Sequence, residues 1–147
     1  INILGRTEDA VVIGRGKSDL DAAVEQVAGW QKRTVVGDRF PDKGYYYRSD
    51  QFSLAKVGVP GLYLGPGVRV AGKPEGWGEK QHSLWTEKIY HQTSDEYDPN
   101  WNLDGAILDA ELMFYVGMIV ANQPELPAWV PGDEFEATRK QALQNAE

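Results

Sequence analysis

The run Asp9-Ala10-Val11-Val12-Ile13-Gly14 constrains this chain more than any other stretch. Apolar and largely β-branched after Asp9, and closed by a glycine, it has the pattern of a buried strand. Ser18 is then placed to start a helix, with Asp21 three residues on completing an approximate capping box. Leu20, Val24, Val27 and Ala28 fall on one face of that helix, which runs to about Gln31, and Thr34-Val35-Val36 offers a second strand. A strand, a helix and a strand in so short a span predict an α/β layer structure.

The turn Gly14-Arg15-Gly16-Lys17-Ser18 between strand and helix invites a phosphate-loop reading, and the spacing rejects it. A Walker loop needs a further glycine five residues before Gly16, where Val11 stands. A dinucleotide fingerprint needs one at the position of Asp19, whose carboxylate would repel phosphate. The stretch reads as a glycine turn into a capped helix.

The rest of the chain supplies layers around this unit. The run Ile1 to Leu4, apart from Asn2, is apolar and strand-like, so the sequence starts as if inside a domain. Such a start suggests an artificial boundary, a processed product or a gene fragment. Ser49 or Asp50 is placed to cap a short helix through about Val57, with Phe52 and Ala55 inward and Gly58 as its stop. Pro60 to Gly65 reads as a third strand. Of the three tyrosines Tyr45, Tyr46 and Tyr47, some must reach the surface, as binding-site aromatics or as the rim of a cluster under a loop.

From Gly65 to about Trp101 no regular element is convincing, yet Trp77, Trp85, Ile89 and Tyr90 argue against disorder. An ordered, site-forming excursion is expected there, carrying both histidines of the chain, His82 and His91. Leu103 to about Asn122 is the clearest helix, served at its start by Asn102 or Asp104. It is apolar nearly all round at Met113-Phe114-Tyr115-Val116, which predicts burial between layers. Pro124, Pro127 and Pro131 break the chain, and a polar helix from Gly132 to Asn145 follows, with Asp133 and Glu134 near its positive end.

Composition limits the function classes. The 147 residues suit one domain over 1–147 with a real core. A net charge of −7 argues against nucleic acid and against anionic membrane surfaces. No apolar run approaches the roughly 20 residues of a membrane span. With no cysteine, disulfides, thiolate zinc sites and cysteine nucleophiles are all excluded. No Gly-x-Ser-x-Gly elbow is present for a serine triad.

The candidate chemistry lies in Tyr90-His91-Gln92-Thr93-Ser94-Asp95, where a histidine stands between a tyrosine and carboxylates. Neutral imidazole is the commonest metal ligand, and a nearby carboxylate can orient it or share the ion. A structural, hydrogen-bonded histidine gives the same pattern. His82 and His91 are nine residues apart, so they could meet, with Asp95, Glu96 or Asp98 completing a single metal site.

This stretch resembles the late YHxxxD motif of the M28 metallopeptidases, the zinc aminopeptidase family. Arg48-Ser49-Asp50-Gln51-Phe52, followed by Gly58-Val59-Pro60-Gly61-Leu62, resembles that family's SDHF…GxPxL stretch. Gly5-Arg6-Thr7, Lys73 to Gly78 and Pro131 to Phe135 resemble segments of its larger bacterial members. The likeness is to the C-terminal half only. It implies a partial zinc-aminopeptidase (phosphorylase/hydrolase-like) fold, a small mixed or mostly parallel sheet with helices packed on it.

The resemblance also implies roles. His91 matches the last histidine ligand of a two-zinc site, Tyr90 the tyrosine that steadies the developing oxyanion, and Asp95 an acid behind the ligands. Ser49, Asp50, Gln51 and Phe52 fall on the substrate side, with Gln51 where the family usually has histidine. The first histidine, the bridging aspartate, the general-base glutamate and the ligand glutamate belong to upstream sequence. The second aspartate ligand is expected near Asn2-Ile3-Leu4, and none stands there. One ligand does not hold two metals. The expected reading is therefore the C-terminal portion of a zinc-dependent aminopeptidase acting on N-terminal peptide bonds, inactive alone. Its alternative is a non-catalytic binding or self-associating domain on a peptidase fold. A peptide substrate, a homo-oligomeric state, and a secreted or periplasmic location without a signal peptide in this chain complete the expectations.

Overall fold

The computed structural model of the chain describes residues 2–145. Its centre is β1, Asp9–Ile13, buried along its whole length. β1 pairs in parallel with β2, Thr34–Gly37, in the register Asp9 to Thr34 through Val12 to Gly37. On its other side it pairs antiparallel with β3, Tyr63–Gly65, with Ile13 opposite Tyr63 and Val11 opposite Gly65. The sheet is thus mixed, of order β2-β1-β3, and the α/β class read from the sequence holds.

Because strand side chains alternate, β1 divides the core in two. Ala10 and Val12 face α1, Leu20–Trp30, through Ala23, Val24, Val27 and Ala28, and α4, Asp104–Asn122, through Leu112 and Val116. Val11 and Ile13 face Tyr46, Ala55, Trp129 and Phe135. Each fully buried aliphatic side chain in these layers contributes about 1.5–3 kcal/mol. Ala55 belongs to α2, Gln51–Ala55, which turns back at Gly58. Phe52 packs against the second layer, as the sequence suggests.

A polar clamp fixes the base of β1. The Asp9 carboxylate is fully buried and accepts N–H bonds from Val68 at 3.0 Å and Arg69 at 2.8 Å, and an Arg39 bond at 2.8 Å. Arg33, also buried, donates to the Asp9 carbonyl at 2.7 Å, to Thr7 Oγ1 at 2.9 Å and to Asp109 Oδ1 at 2.7 Å. Buried charges persist only when paired and hydrogen-bonded, and here they tie the loop after β3 and the start of α4 to the sheet.

Five local expectations are corrected. Asp21 does not close a capping box; its carboxylate accepts the Gly16 N–H at 2.5 Å and so fixes the glycine turn instead. Neither Ser49 nor Asp50 caps α2 through its side chain, and the Ser49 hydroxyl donates to the Tyr45 carbonyl at 2.7 Å. Leu4 joins no strand: it makes a single bridge to Asn102, and Ile1 lies outside the described residues. The stretch 65–101 is not without regular structure, since α3 occupies Trp77–Lys88. Its apolar residues are too few and too exposed to draw a stripe, so periodicity passed over it. α4 is not buried all round: Gly105, Leu108, Leu112 and Val116 are buried, while Ile107, Phe114 and Met118 are about half or more exposed.

Asn102 does serve the start of α4, accepting the Asp104 N–H at 3.0 Å. The last helix, α5, spans Glu136–Gln144, and Asp133 and Glu134 lie ahead of it. The segment before α5 returns across the sheet. Asp19 N–H bonds the Ala128 carbonyl at 3.0 Å, Val130 N–H bonds the Lys17 carbonyl at 2.9 Å, and the Trp129 indole donates to the Gly58 carbonyl at 2.9 Å. Among the described residues no helix is long and apolar enough to cross a membrane.

Candidate active-site loop

α3 ends where the Trp85 carbonyl accepts N–H bonds from both Ile89 and Tyr90 at 2.9 Å. The chain then turns at His91, whose φ of 61° is left-handed, a conformation few side chains adopt. That turn lays the imidazole flat on the Tyr90 ring at 3.8 Å between centroids, with Trp85 behind Tyr90 at 5.1 Å. Gln92 N–H bonds the Ile89 carbonyl at 2.9 Å, and Asp95 N–H bonds the Gln92 carbonyl at 3.1 Å. Further on, Asp98 accepts two bonds from Asn100, and Tyr97 meets Trp101 edge to face at 5.5 Å. The loop is shaped by its own local contacts.

Its chemistry points outward. Tyr90 is 44% exposed and His91 is exposed. Among the described residues no hydrogen bond joins Asp95 to His91, and His82 is held apart on α3. Thr86 Oγ1 donates to the His82 carbonyl at 2.9 Å. Desolvation, aided by the positive charge of Lys43, pushes the His82 imidazole below its ordinary pKa. The single metal site imagined from His82, His91 and the acids does not form, since no group of three His, Asp or Glu side chains among the described residues could hold a metal ion.

The second predicted segment lies elsewhere, on the flank of the sheet. Gln51 donates through Nε2 to the Tyr46 carbonyl at 3.0 Å, and Phe52 packs edge to face with Tyr47 at 5.4 Å. Gln51 also lines a groove of about 420 Å³ with Asn2, Tyr63, Pro66, Ala110 and Met113, running between β3 and α4. β3 has β1 as its one neighbour, so its outer edge faces this groove. The Asn2 amide nitrogen is buried there with no hydrogen-bond partner among the described residues. Asp109 borders the same groove, where burial raises its carboxyl above the ordinary value against the opposing pull of Arg33.

The glycine turn and the three tyrosines, which the sequence treats separately, meet at the carboxyl ends of β1 and β2. A cleft of about 330 Å³ is bounded by Gly14, Lys17, Gly37, Asp38 and the three tyrosines. Lys17 bonds Asp133 Oδ2 at 2.9 Å and Glu134 Oε1 at 3.0 Å, and Tyr47 donates its hydroxyl to Glu134 at 2.7 Å. The Tyr46 ring is buried in the second core layer. The tyrosine run and the lysine in the glycine turn were visible in the sequence, but the acidic partners of Lys17 lie far along the chain.

Compared with known families, residues 1–115 match the model of Peptidase family M28. The chain belongs to peptidase family M28. Neither the curated proteins nor the solved structures give a match. The M28 match takes in β1, β2, β3, the Ser49–Phe52 segment and the Tyr90–Asp95 loop, and it ends within α4. The tail that Lys17 grips lies beyond it.

Proposed function

We propose that this chain is the C-terminal portion of a zinc-dependent M28 aminopeptidase, in which it presents His91 and Tyr90 and another segment supplies the remaining ligands and the general base. The observation that carries the reading is the combination of the family match with an exposed histidine that has no co-ligands of its own. M28 peptidases are generally metal-dependent. The donors among the described residues do not by themselves fit two zinc ions, because catalytic zinc takes three protein ligands or more and none of them joins His91.

What the chain's own residues offer is placement. The left-handed turn at His91 and the stack on Tyr90 hold the imidazole at the surface with its nitrogens open to a ligand. The exposed Tyr90 hydroxyl is a donor free to meet a developing oxyanion. Asp95 follows on the same loop, not bonded to His91, as the acid that would stand behind the ligands in a completed site. Ser49, Asp50, Gln51 and Phe52 are the substrate-side segment, and the groove beside Gln51 is where a further strand or a peptide would lie.

The test is hydrolysis of aminoacyl p-nitroanilides by the isolated chain supplied with zinc. The reading expects no turnover above the zinc-only blank. Turnover that disappears in His91→Ala would overturn it, since the chain would then hold a complete site.

A further inference from the structure

The face of α4 turned away from the sheet carries an apolar surface that none of the described residues covers. Phe114 is two residues from both Leu112 and Val116, the buried positions, and therefore lies on the opposite side of the helix. It is 62% exposed, and Ile107 and Met118 beside it are 56% and 49% exposed. Leu103 extends the stripe along the axis, and Tyr115 with Trp30 of α1, edge to face at 6.0 Å, widens it. Together these six side chains expose on the order of 700 Å², above the usual largest patch on a monomer and close to one partner's share of a stable interface.

We propose that this face is a homodimer interface, formed by α4 packing antiparallel against α4 of a second copy about a two-fold axis at Phe114. Three observations select that occupant. First, direction: a segment that extended the sheet past β3 would cover the Ala106, Ala110 and Met113 side of α4, beside the groove. Phe114, Ile107 and Met118 face outward from that layer, where a separate body is needed.

Second, shape: Gly117 sits inside α4 and a Cβ there would meet nothing within 4 Å. A mid-helix glycine costs about 1 kcal/mol against alanine, and no contact within the protomer requires it. It leaves a gap beside Phe114 on the outward face, into which the partner's Phe114 fits. Third, charge: Asp104 and Glu111 lie exposed in the first half of α4, Asp109 there being paired inward with Arg33, and no charged residue lies from Leu112 to Asn122. Antiparallel pairing sets each acidic half against an uncharged one and opposes the helix dipoles, while parallel pairing would stack acid on acid. The interface holds whether or not the active site is completed, so it stands apart from the peptidase reading.

The experiment is light scattering on the intact chain together with cysteine cross-linking, for which the absence of native cysteine gives a clean background. The wild type should show twice the chain's mass. Phe114→Asp should halve it with an unchanged far-ultraviolet spectrum, because the side chain is exposed in the protomer. Phe114→Cys should form an interchain disulfide under mild oxidation, since it sits at the axis. Leu103→Cys should not, lying about 16 Å from that axis on each copy. A monomeric wild type at its highest soluble concentration, a dimer that survives Phe114→Asp, or a Leu103→Cys disulfide would each overturn the proposal.

Discussion

Lys17 Nζ lies 2.9 Å from Asp133 Oδ2, so an ammonium in the turn between β1 and α1 holds a segment 116 residues further along the chain. The lysine side chain is 21% exposed and the aspartate 5%, which makes this a largely desolvated pair. Its ammonium also lies over the Tyr46 and Phe135 rings at 5.2 and 5.3 Å. Removing one partner leaves a buried carboxylate without its counter-charge. Lys17→Met should therefore destabilise the fold by about 2 kcal/mol, read as a shift in the urea midpoint. Adding Asp133→Asn to it should cost much less than the sum of the two single changes.

The same cluster sets a pH dependence at both ends of the scale. Glu134 is held below its ordinary carboxyl value of 4.5, first by the Tyr47 hydroxyl and then by Lys17. A depressed native value gives stability that is present above 4.5 and lost as pH falls through the native value. For Lys17, burial lowers the ammonium, but the bonds and charges of Asp133 and Glu134 outweigh it and hold it above the ordinary 10.5. That stability is complete below 10.5 and is lost as pH rises beyond it. Melting curves of wild type and Lys17→Met should thus converge at both extremes and differ most in between. A constant gap across pH would contradict the assignment.

Gly14 closes β1 with φ of 84°, and a Cβ there would run into the Tyr46 ring. Alanine at this position must strain the backbone and displace a buried aromatic. Gly14→Ala is expected to cost about 3 kcal/mol, and Gly16→Ala about half of that. Gly16 shares the left-handed backbone, yet a Cβ there meets nothing within 4 Å. Comparing the two denaturation midpoints separates backbone strain from the clash.

Asp9 is the anchor of the loop after β3. Asp9→Ala removes the acceptor of the Val68 and Arg69 N–H groups and leaves Arg39 without its buried partner. The expected loss is about 3–5 kcal/mol. Amide exchange should rise first at Val68 and Arg69, and unchanged exchange there would count against the clamp.

The parts of this fold that were legible in the sequence are those ruled by local periodicity. The β1–α1–β2 unit, α2 with its stop at Gly58, and α4 with Asn102 at its head all followed from spacing and turn chemistry. α3 was hidden because a mostly exposed helix needs no apolar stripe. The exposed side of α4 was misread because an all-round apolar helix looks the same whether its second face meets the same chain or another molecule. The Asp9–Arg39, Arg33–Asp109 and Lys17–Asp133 pairs could not be read at all, since charge pairs across the fold leave no periodic mark. Tyr90, His91 and the Ser49–Phe52 segment were singled out by their resemblance to family motifs and not by periodicity. The separation of His82 onto α3 depended on a helix the pattern did not reveal.

We propose that His91 is the one metal-ligating histidine this M28 chain presents, the described residues holding no group of three donors around it. It is tested most directly by zinc content, measured by mass spectrometry after dialysis against zinc, for wild type and His91→Ala. The account predicts less than one zinc per chain in the wild type and a further loss in the variant. Two zinc ions retained per wild-type chain, and lost on His91→Ala, would contradict it.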